Sequence, residues 1–373
     1  LSKEERAALA PVQKALDAKD TATATTALAA AQGAVQGADA RYVLGTMQVR
    51  LGLATNNRQL QAQGIDTMIA SGSASETELP DLYQNQAAIA LQANDTKKGE
   101  DALIHLMQLR PNDETTLLSL AQLRATQKRA PEALTLLERA ITLHKATGQP
   151  VPEAWYKFAV KNAFDAKLAP QTVKFSREWV TTYPSPQNWR DALLVYRDVS
   201  NLDRGTELDM LRLMRAAHAL AGERDYYQLA SVLSDTGYPG EAKAVLDEGI
   251  AAKVLDPAKA PFSQLRASTG SRIAADKASL ASAAAKALAA PTGTQALKMG
   301  DAYFGYGDYP KAADLYRAAL QKGSVDANQV NTHLGLALGL AGQKAEAQTA
   351  LQAITGPRAE LANYMMVWLS QRS

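Results

Sequence analysis

Residues 296–324 have the pattern of two short helices joined by a tight turn. The small and aromatic positions of this pattern are Gly300, Tyr303, Ala312, Tyr316 and Ala319. Small residues let two helices approach closely, and tyrosines fill the space beside them. The break between the helices ends at Pro310, which suits the first turn of a helix because its missing N–H group is not needed there. The segment therefore predicts a helical hairpin.

The hairpin pattern recurs along the chain at nearly constant spacing. The small position of the first helix falls at Gly45, Ala87, Ala121, Ala159, Leu193, Ala230, Gly300 and Gly335. The steps between these positions are 42, 34, 38, 34, 37, 70 and 35 residues. Because the step of 70 equals two periods, one more hairpin with a weaker pattern is predicted at residues 258–290. A hairpin cannot bury its apolar face alone, so the repeats must stack on their neighbours.

These residues resemble the tetratricopeptide repeat, a helix–turn–helix unit of about 34 residues. The resemblance is carried by Gly300, Tyr303, Gly307-Asp308, Ala312, Tyr316 and Ala319, and by their counterparts in the other repeats. It implies an all-α fold, a right-handed α-solenoid of about nine to ten such hairpins with a C-terminal capping helix. It also implies a protein-binding scaffold rather than an enzyme.

Proline, glycine and pattern changes suggest six segments. These are an N-terminal capping hairpin (1–37), repeats at 38–151, repeats opened by Trp155 and Trp189 (152–258), an Ala-rich degenerate repeat (259–292), C-terminal repeats (293–358) and a capping helix (359–373). The clearest break is Gly148-Gln149-Pro150-Val151-Pro152, since glycine and proline end helices.

Composition narrows the function. The 40 basic and 38 acidic residues nearly balance, which argues against a nucleic-acid partner. No apolar stretch reaches the roughly 20 residues that span a bilayer. The chain starts at Leu1 and has no cysteine, and from both features we expect a periplasmic or secreted protein, with a cytoplasmic one as the alternative.

No catalytic, cofactor-binding or metal-binding residue is predicted. The histidines His105, His144, His218 and His333 lie far apart and have no histidine at helical spacing, so we expect ordinary surface or groove histidines. The glycines at Gly305 and Gly307 match a dinucleotide-binding loop poorly, because Pro310 follows and no strand precedes. The sequence does not predict an enzyme, and no cofactor is expected.

The family resemblance also implies which residues would contact a partner. In tetratricopeptide arrays the first helix of each repeat lines a concave groove. By register, the predicted groove residues are Tyr42, Thr46, Gln84, Leu118, Gln122, Tyr156, Arg190, Arg197, Tyr227, Asp301 and Phe304. Tyrosine and arginine are frequent anchors at protein interfaces. The alternative is that the tyrosines pack between neighbouring repeats.

The C-terminal residues Tyr364, Met365 and Trp368 allow two interpretations. They belong to a helix that caps the last repeat, or they form an exposed patch for self-association or for a partner.

Three functions remain open at the level of sequence. The first is an adaptor that holds a protein or peptide of unknown identity in the groove, for example in assembling a cell-envelope complex. The second is a self-assembling structural protein that uses its terminal helices. The third is a carbohydrate-binding solenoid or an accessory subunit of an enzyme.

Overall fold

A computed structural model describes residues 1–372 of the chain, and these residues form helices and turns without a β-strand. The helices of the first part are α1 (Lys3–Asp17), α2 (Thr21–Gln32), α3 (Ala38–Ala54), α4 (Arg58–Ser71), α5 (Leu79–Gln92), α6 (Thr96–Leu109), α7 (Glu114–Thr126) and α8 (Ala130–Ala146). The helices of the second part are α9 (Glu153–Asp165), α10 (Ala169–Thr182), α11 (Pro186–Val199), α12 (Arg204–Ala216), α13 (Gly222–Thr236), α14 (Pro239–Ala251), α15 (Ala260–Ala289), α16 (Thr294–Gly305), α17 (Tyr309–Lys322), α18 (Ala327–Leu340), α19 (Lys344–Gln352) and α20 (Ala359–Ser370). A short 3₁₀ turn, Gly356–Arg358, precedes α20. The predicted all-α helical-repeat fold is confirmed.

Nine pairs of consecutive helices form hairpins, and eight of them share one turn. In each of the eight, a residue with positive φ follows the first helix. These residues are Lys19, Asn56, Asn94, Lys128, Lys167, Gly237, Gly307 and Gly342, with φ between 52° and 91°. The next backbone N–H then bonds a carbonyl five residues back at 2.8–3.0 Å, which is the Schellman arrangement of a helix C-terminus. Only α11/α12, joined through Ser200–Leu202, departs from this turn.

The small positions of the first helices face their partner helices, as predicted. A Cβ atom at Gly45 would lie 2.6 Å from the carbonyl oxygen of Gly64, so α3 and α4 touch through their backbones. A Cβ atom at Gly300 would lie 2.5 Å from the ring of Tyr316. Tyr316 is fully buried, which confirms that it fills the space between α16 and α17. Gly45 and Gly300 therefore leave little room for a side chain, because their helices cross at close range.

The chain divides into two compact units, Leu1–Val151 and Pro152–Ser373, and the division falls at the Gly148–Pro152 break. Residue 373, the last of the predicted capping segment, lies outside the described residues. Unit 1 consists of the four hairpins α1/α2 to α7/α8, each packed on the next. The first helix begins with a capping box: Ser2 accepts from the N–H of Glu5, and the Glu5 carboxylate accepts from the N–H of Ser2.

Unit 2 contains five hairpins together with α15 and α20. Helix α12 is buried on most of its circumference and contacts α11, α13, α18 and α20. Helix α20 packs on α10, α12, α18 and α19. One apolar core runs from Val173 to Leu369, so residues far apart in the chain share an interior.

The structure corrects one predicted repeat. Residues 260–289 form a single helix of 30 residues, α15, and not the degenerate hairpin expected at 258–290. Gly270 lies within this helix, and a Cβ atom there would meet nothing within 4 Å apart from the backbone of its own helix. One glycine costs a helix only about 1 kcal/mol, and the surrounding alanines favour continuation.

Within residues 1–372, no helix combines the length and apolar character needed to cross a membrane.

Candidate functional site

The first helices of unit 1 present an open face. Each of α3, α5 and α7 contributes the residues three before, one after and four after its small position, which is Gly45, Ala87 and Ala121 in turn. These nine residues are Tyr42, Thr46, Val49, Gln84, Ala88, Leu91, Leu118, Gln122 and Ala125. None of the nine is buried and none carries a charge. We call this set the unit-1 face.

The predicted residues of the unit-1 face differ in their contacts. Gln84 and Gln122 are exposed, and Leu118 is half-buried. Tyr42 donates a hydrogen bond from its hydroxyl to Glu78 Oε1 at 2.7 Å, which ties α3 to the start of α5. That bond raises the pKa of Tyr42 to about 12. The face therefore offers amide, hydroxyl and apolar groups on a rigid helical support.

In unit 2 the equivalent positions of α16 are filled by the chain itself. Asp301 and Phe304 are buried, with exposed fractions of 3% and 6%. The guanidinium of Arg212 on α12 stacks over the Phe304 ring at 5.1 Å. The prediction that Asp301 and Phe304 contact a partner in an open groove is thus corrected, because both side chains are buried inside unit 2: the Arg212 side chain covers Phe304, and Asp301 is bonded to Tyr238, Tyr316 and His333.

The remaining predicted groove residues of unit 2 also have intramolecular partners. Tyr156 is buried, with its hydroxyl 3.4 Å from Thr182 Oγ1, so it is not a surface residue. Arg190 makes a two-bond contact with the Asp225 carboxylate, at 2.7 and 3.2 Å.

Two other predicted residues stay closer to the surface. Arg197 pairs with its neighbour Asp198 at 2.9 Å and is half-buried. Tyr227 is 40% exposed and meets Phe262 of α15 edge-on at 5.9 Å. Among the predicted groove residues of unit 2, Tyr227 is therefore the most accessible.

The three C-terminal candidates are buried. Tyr364, Met365 and Trp368 have exposed fractions of 0%, 0% and 4%. The Tyr364 hydroxyl lies 2.6 Å from Ser176 Oγ, and Trp368 Nε1 donates to the carbonyl of Ala216 at 3.1 Å. The alternative of an exposed patch is wrong for this structure, because α20 packs its apolar side into unit 2.

A cluster of buried charges surrounds α12. We call it the α12 charge cluster; its members are Asp209, Arg212, Glu241, Asp301, His333 and Arg358. His333 lies between two carboxylates, with Nδ1 2.7 Å from Asp301 and Nε2 3.1 Å from Asp209. Arg358 Nη1 reaches Asp209 at 2.6 Å, and Arg212 Nη2 reaches Glu241 at 2.7 Å. Three cations therefore face three carboxylates when His333 is protonated.

The contacts of the cluster fix its protonation. Burial alone would lower the pKa of His333, but the carboxylates of Asp209 and Asp301 outweigh burial and raise this pKa to about 10. Burial alone would raise the pKa of Asp209 and of Asp301, but His333 and the nearby arginines hold both pKa values below their usual range. His333, Asp209 and Asp301 are therefore all charged at neutral pH.

The geometry of this cluster suits a structural role. A general base needs a ring nitrogen within reach of a substrate proton. In His333 both ring nitrogens are held by carboxylates, and the side chain is only 5% exposed. The sequence predicts a surface or groove histidine, but His333 is buried. It is also not available as a general base.

The other histidines have ordinary surroundings. His105 stacks on Tyr83 with ring centroids 4.9 Å apart. His144 Nδ1 lies 2.9 Å from Glu114. His218 is exposed just after α12 and takes a positive φ of 55°.

The α12 charge cluster was missed by sequence reasoning, although one signal was present. In residues 208–214, Asp209 and Arg212 interrupt a run of leucine and methionine. A charge inside such a run must be paired if the helix is buried. Their partners outside α12 lie 29 to 149 positions away, so spacing alone does not reveal them.

The repeated turn, the close contacts at the small positions and the succession of hairpins define the class: an all-α protein built of helical-hairpin repeats. No protein-family model matches the chain, and no curated protein matches it. Among solved structures, the chain is similar to a tetratricopeptide repeat protein from Parabacteroides merdae, with 11% identity over 90% of this chain and 100% of that one, and a TM-score of 0.30. It is also similar to the Pseudomonas aeruginosa pilF protein, with 12% identity over 74% and 90% of the two chains and a TM-score of 0.23.

Proposed function

We propose that the protein is a non-catalytic scaffold that binds a segment of a protein partner on the unit-1 face. One observation carries the proposal. On α16 of unit 2 the first-helix positions Asp301 and Phe304 are buried, whereas none of the nine equivalent positions of unit 1 is buried. The Arg212 side chain of α12 covers Phe304, which is an example, within this chain, of a side chain from another helix filling such a position.

The composition of the unit-1 face indicates the kind of segment. Its nine residues are uncharged, so long-range attraction to a charged partner has no source on the face itself. Tyr42, Leu118 and Leu91 supply apolar area, while Gln84 and Gln122 can donate and accept hydrogen bonds. A neutral, amphipathic segment is the best match.

A location in the cell envelope and a role in assembling a complex there belong to this proposal. They rest on composition and on the family resemblance. Fractionation of the source cells tests the location directly, because recovery only with cytoplasmic markers would contradict it.

The binding proposal is tested with a matched pair of variants on one hairpin. Ala88→Arg places a long cation in the middle of the unit-1 face, whereas Gln108→Arg places the same cation on the exposed side of α6. Partners are captured from the source extract with the full chain, identified by mass spectrometry, purified and titrated against both variants.

We expect Ala88→Arg to weaken binding of a direct partner at least tenfold, because an unpaired charge enters a neutral interface, and Gln108→Arg to leave it unchanged. Equal affinities for parent and Ala88→Arg would place the binding surface elsewhere and overturn the proposal.

A further inference from the structure

Two adjoining cavities lie in unit 2 beside the place where α15 replaces a hairpin. Their volumes are about 410 and 380 Å³, and both are lined by Arg215, Phe304 and Tyr309. Side chains of α12, α14, α15 and α16 and the α16–α17 turn form the walls. We call the pair the α12–α16 cleft.

Hydrogen-bond donors at the cleft are left without partners. Arg215 uses Nε for Glu248, at 2.8 Å, and its two Nη atoms make no hydrogen bond within residues 1–372. The Tyr309 hydroxyl also has no hydrogen-bond partner in that part of the chain, although the residue is only half-exposed. The guanidinium of Arg372 stacks on the Trp368 ring at 4.7 Å and pairs with no described carboxylate. All three residues line the 410 Å³ cavity.

The charge of the cleft is positive. Five cationic side chains line it, namely Arg212, Arg215, Lys243, Lys277 and Arg372, against three carboxylates, Glu241, Asp247 and Glu248. Each carboxylate already has a cation of the protein as partner: Arg212 for Glu241, Arg215 for Glu248, and Lys243 for Asp247. Lys277 and Arg372 remain without a carboxylate partner among the residues that line the cleft. A bound anion would neutralise this positive charge.

One wall of the cleft is aromatic. Phe304 and Tyr309 meet edge to face at 5.3 Å, and Lys277 lies over the Tyr306 ring at 5.0 Å. Aromatic rings beside guanidinium groups favour planar apolar groups, which stack on both. The cleft thus combines anion recognition with a surface for a planar group.

We propose that the α12–α16 cleft binds a small organic anion in which a carboxylate or phosphate is attached to a planar apolar group. The anion contacts Arg215, Arg372 and the Tyr309 hydroxyl, and the planar group lies along the half-exposed rings of Tyr309 and Tyr306. This site is independent of the unit-1 face, and either can fail without the other.

The test is a calorimetric titration of the full chain with four probes. Phenyl phosphate and benzoate carry both features, inorganic phosphate lacks the ring, and benzyl alcohol lacks the charge. We expect saturable binding of phenyl phosphate or benzoate at one site, at least tenfold tighter than inorganic phosphate or benzyl alcohol. The tighter of the two aryl anions identifies the anionic group. Absence of saturation with both, or equal affinity for inorganic phosphate, overturns the proposal.

Variants locate the bound anion. Arg372→Gln removes a cation that has no carboxylate partner, so the fold loses no ion pair, and we expect about a tenfold or greater loss of affinity. Tyr309→Phe should cost a few-fold, since it removes one neutral hydrogen bond. Arg272→Gln, an exposed residue of α15 outside the cleft, is the control and should change nothing. Retained affinity in both Arg372→Gln and Tyr309→Phe would overturn the assignment.

Discussion

His333 Nδ1 lies 2.7 Å from Asp301 Oδ1, and both residues are buried where α16 and α18 meet α12. Asp209 of α12 occupies the other ring nitrogen, so one imidazolium joins three helices. An ion inside a protein is tolerated only when its partners compensate the lost hydration. The α12 charge cluster therefore holds α12 in one position, and it is sensitive to the loss of any single charge.

The first prediction concerns pH. The pKa of His333 rises from 6.5 to about 10 on folding, so the stability that its charge contributes is fully present below about pH 6.5. As pH increases from there toward 10, this contribution is lost and the free energy of unfolding should fall. His333→Gln should flatten that dependence and destabilise unit 2 by about 3–5 kcal/mol, because two carboxylates lose their shared cation.

Denaturant titrations followed by tryptophan fluorescence provide the measurement. All four tryptophans, Trp155, Trp179, Trp189 and Trp368, lie in unit 2, so the signal reports its unfolding. His105→Gln in unit 1 is the control and should keep the pH dependence of the parent. If His333→Gln also kept that dependence, the linkage to His333 would be wrong.

The second prediction compares two ion pairs of the C-terminal segment. Arg358 meets Asp209 at 2.6 Å with both side chains at most 8% exposed, whereas Arg177 meets Glu360 at a site where the side chains are 25% and 47% exposed. Arg358→Gln leaves a buried carboxylate without one of its cations and should cost about 3–5 kcal/mol. Arg177→Gln removes a solvated pair and should cost less than about 1 kcal/mol. Similar losses for both, measured by tryptophan fluorescence, would contradict the burial argument.

Local features of the fold could be predicted from the sequence. The spacing of small residues located the helix contacts at Gly45, Gly300 and Gly335, because close packing is decided by neighbours within one hairpin. Turn residues such as Gly307-Asp308 located hairpin breaks for the same reason. The prediction of a hairpin at residues 258–290 was wrong because it came from the repeat period alone. That segment has no pair of turn residues like Gly307-Asp308.

The candidate site depends on contacts that no local pattern encodes. The register placed Asp301 and Phe304 correctly on α16, yet it did not show that Arg212, some ninety residues earlier, covers Phe304. The accessibility of a groove position is set by the course of the whole chain. The burial of Tyr364 against Ser176 is another contact between residues far apart in the chain, and no local pattern predicts it.

The third prediction uses two glycines in different settings. A Cβ atom at Gly45 would lie 2.6 Å from one backbone atom of α4 and 2.9 Å from another, so Gly45→Ala must push α3 and α4 apart and should cost about 1–3 kcal/mol. Gly270 lies inside α15 with open space around it, and Gly270→Ala should stabilise by about 0.5–1 kcal/mol. Thermal unfolding by circular dichroism suits Gly45→Ala in unit 1, and tryptophan fluorescence suits Gly270→Ala in unit 2. A stabilising Gly45→Ala would rule out the backbone contact.

The last prediction tests the repeated turn. Lys167 lies just after α9 and has a φ of 58°. This left-handed conformation costs a residue with a Cβ atom about 1–2 kcal/mol, whereas it costs glycine little. Its side chain is exposed, and the neighbouring Leu168 N–H closes the turn on Ala163 at 2.9 Å without using that side chain. Lys167→Gly should therefore stabilise unit 2 by about 0.5–1 kcal/mol after the greater flexibility of the unfolded glycine is included. Lys167→Ala removes the same side chain but keeps the strained backbone, so it should change stability little. If alanine stabilised as much as glycine, the gain would come from losing the lysine and not from relieving the turn.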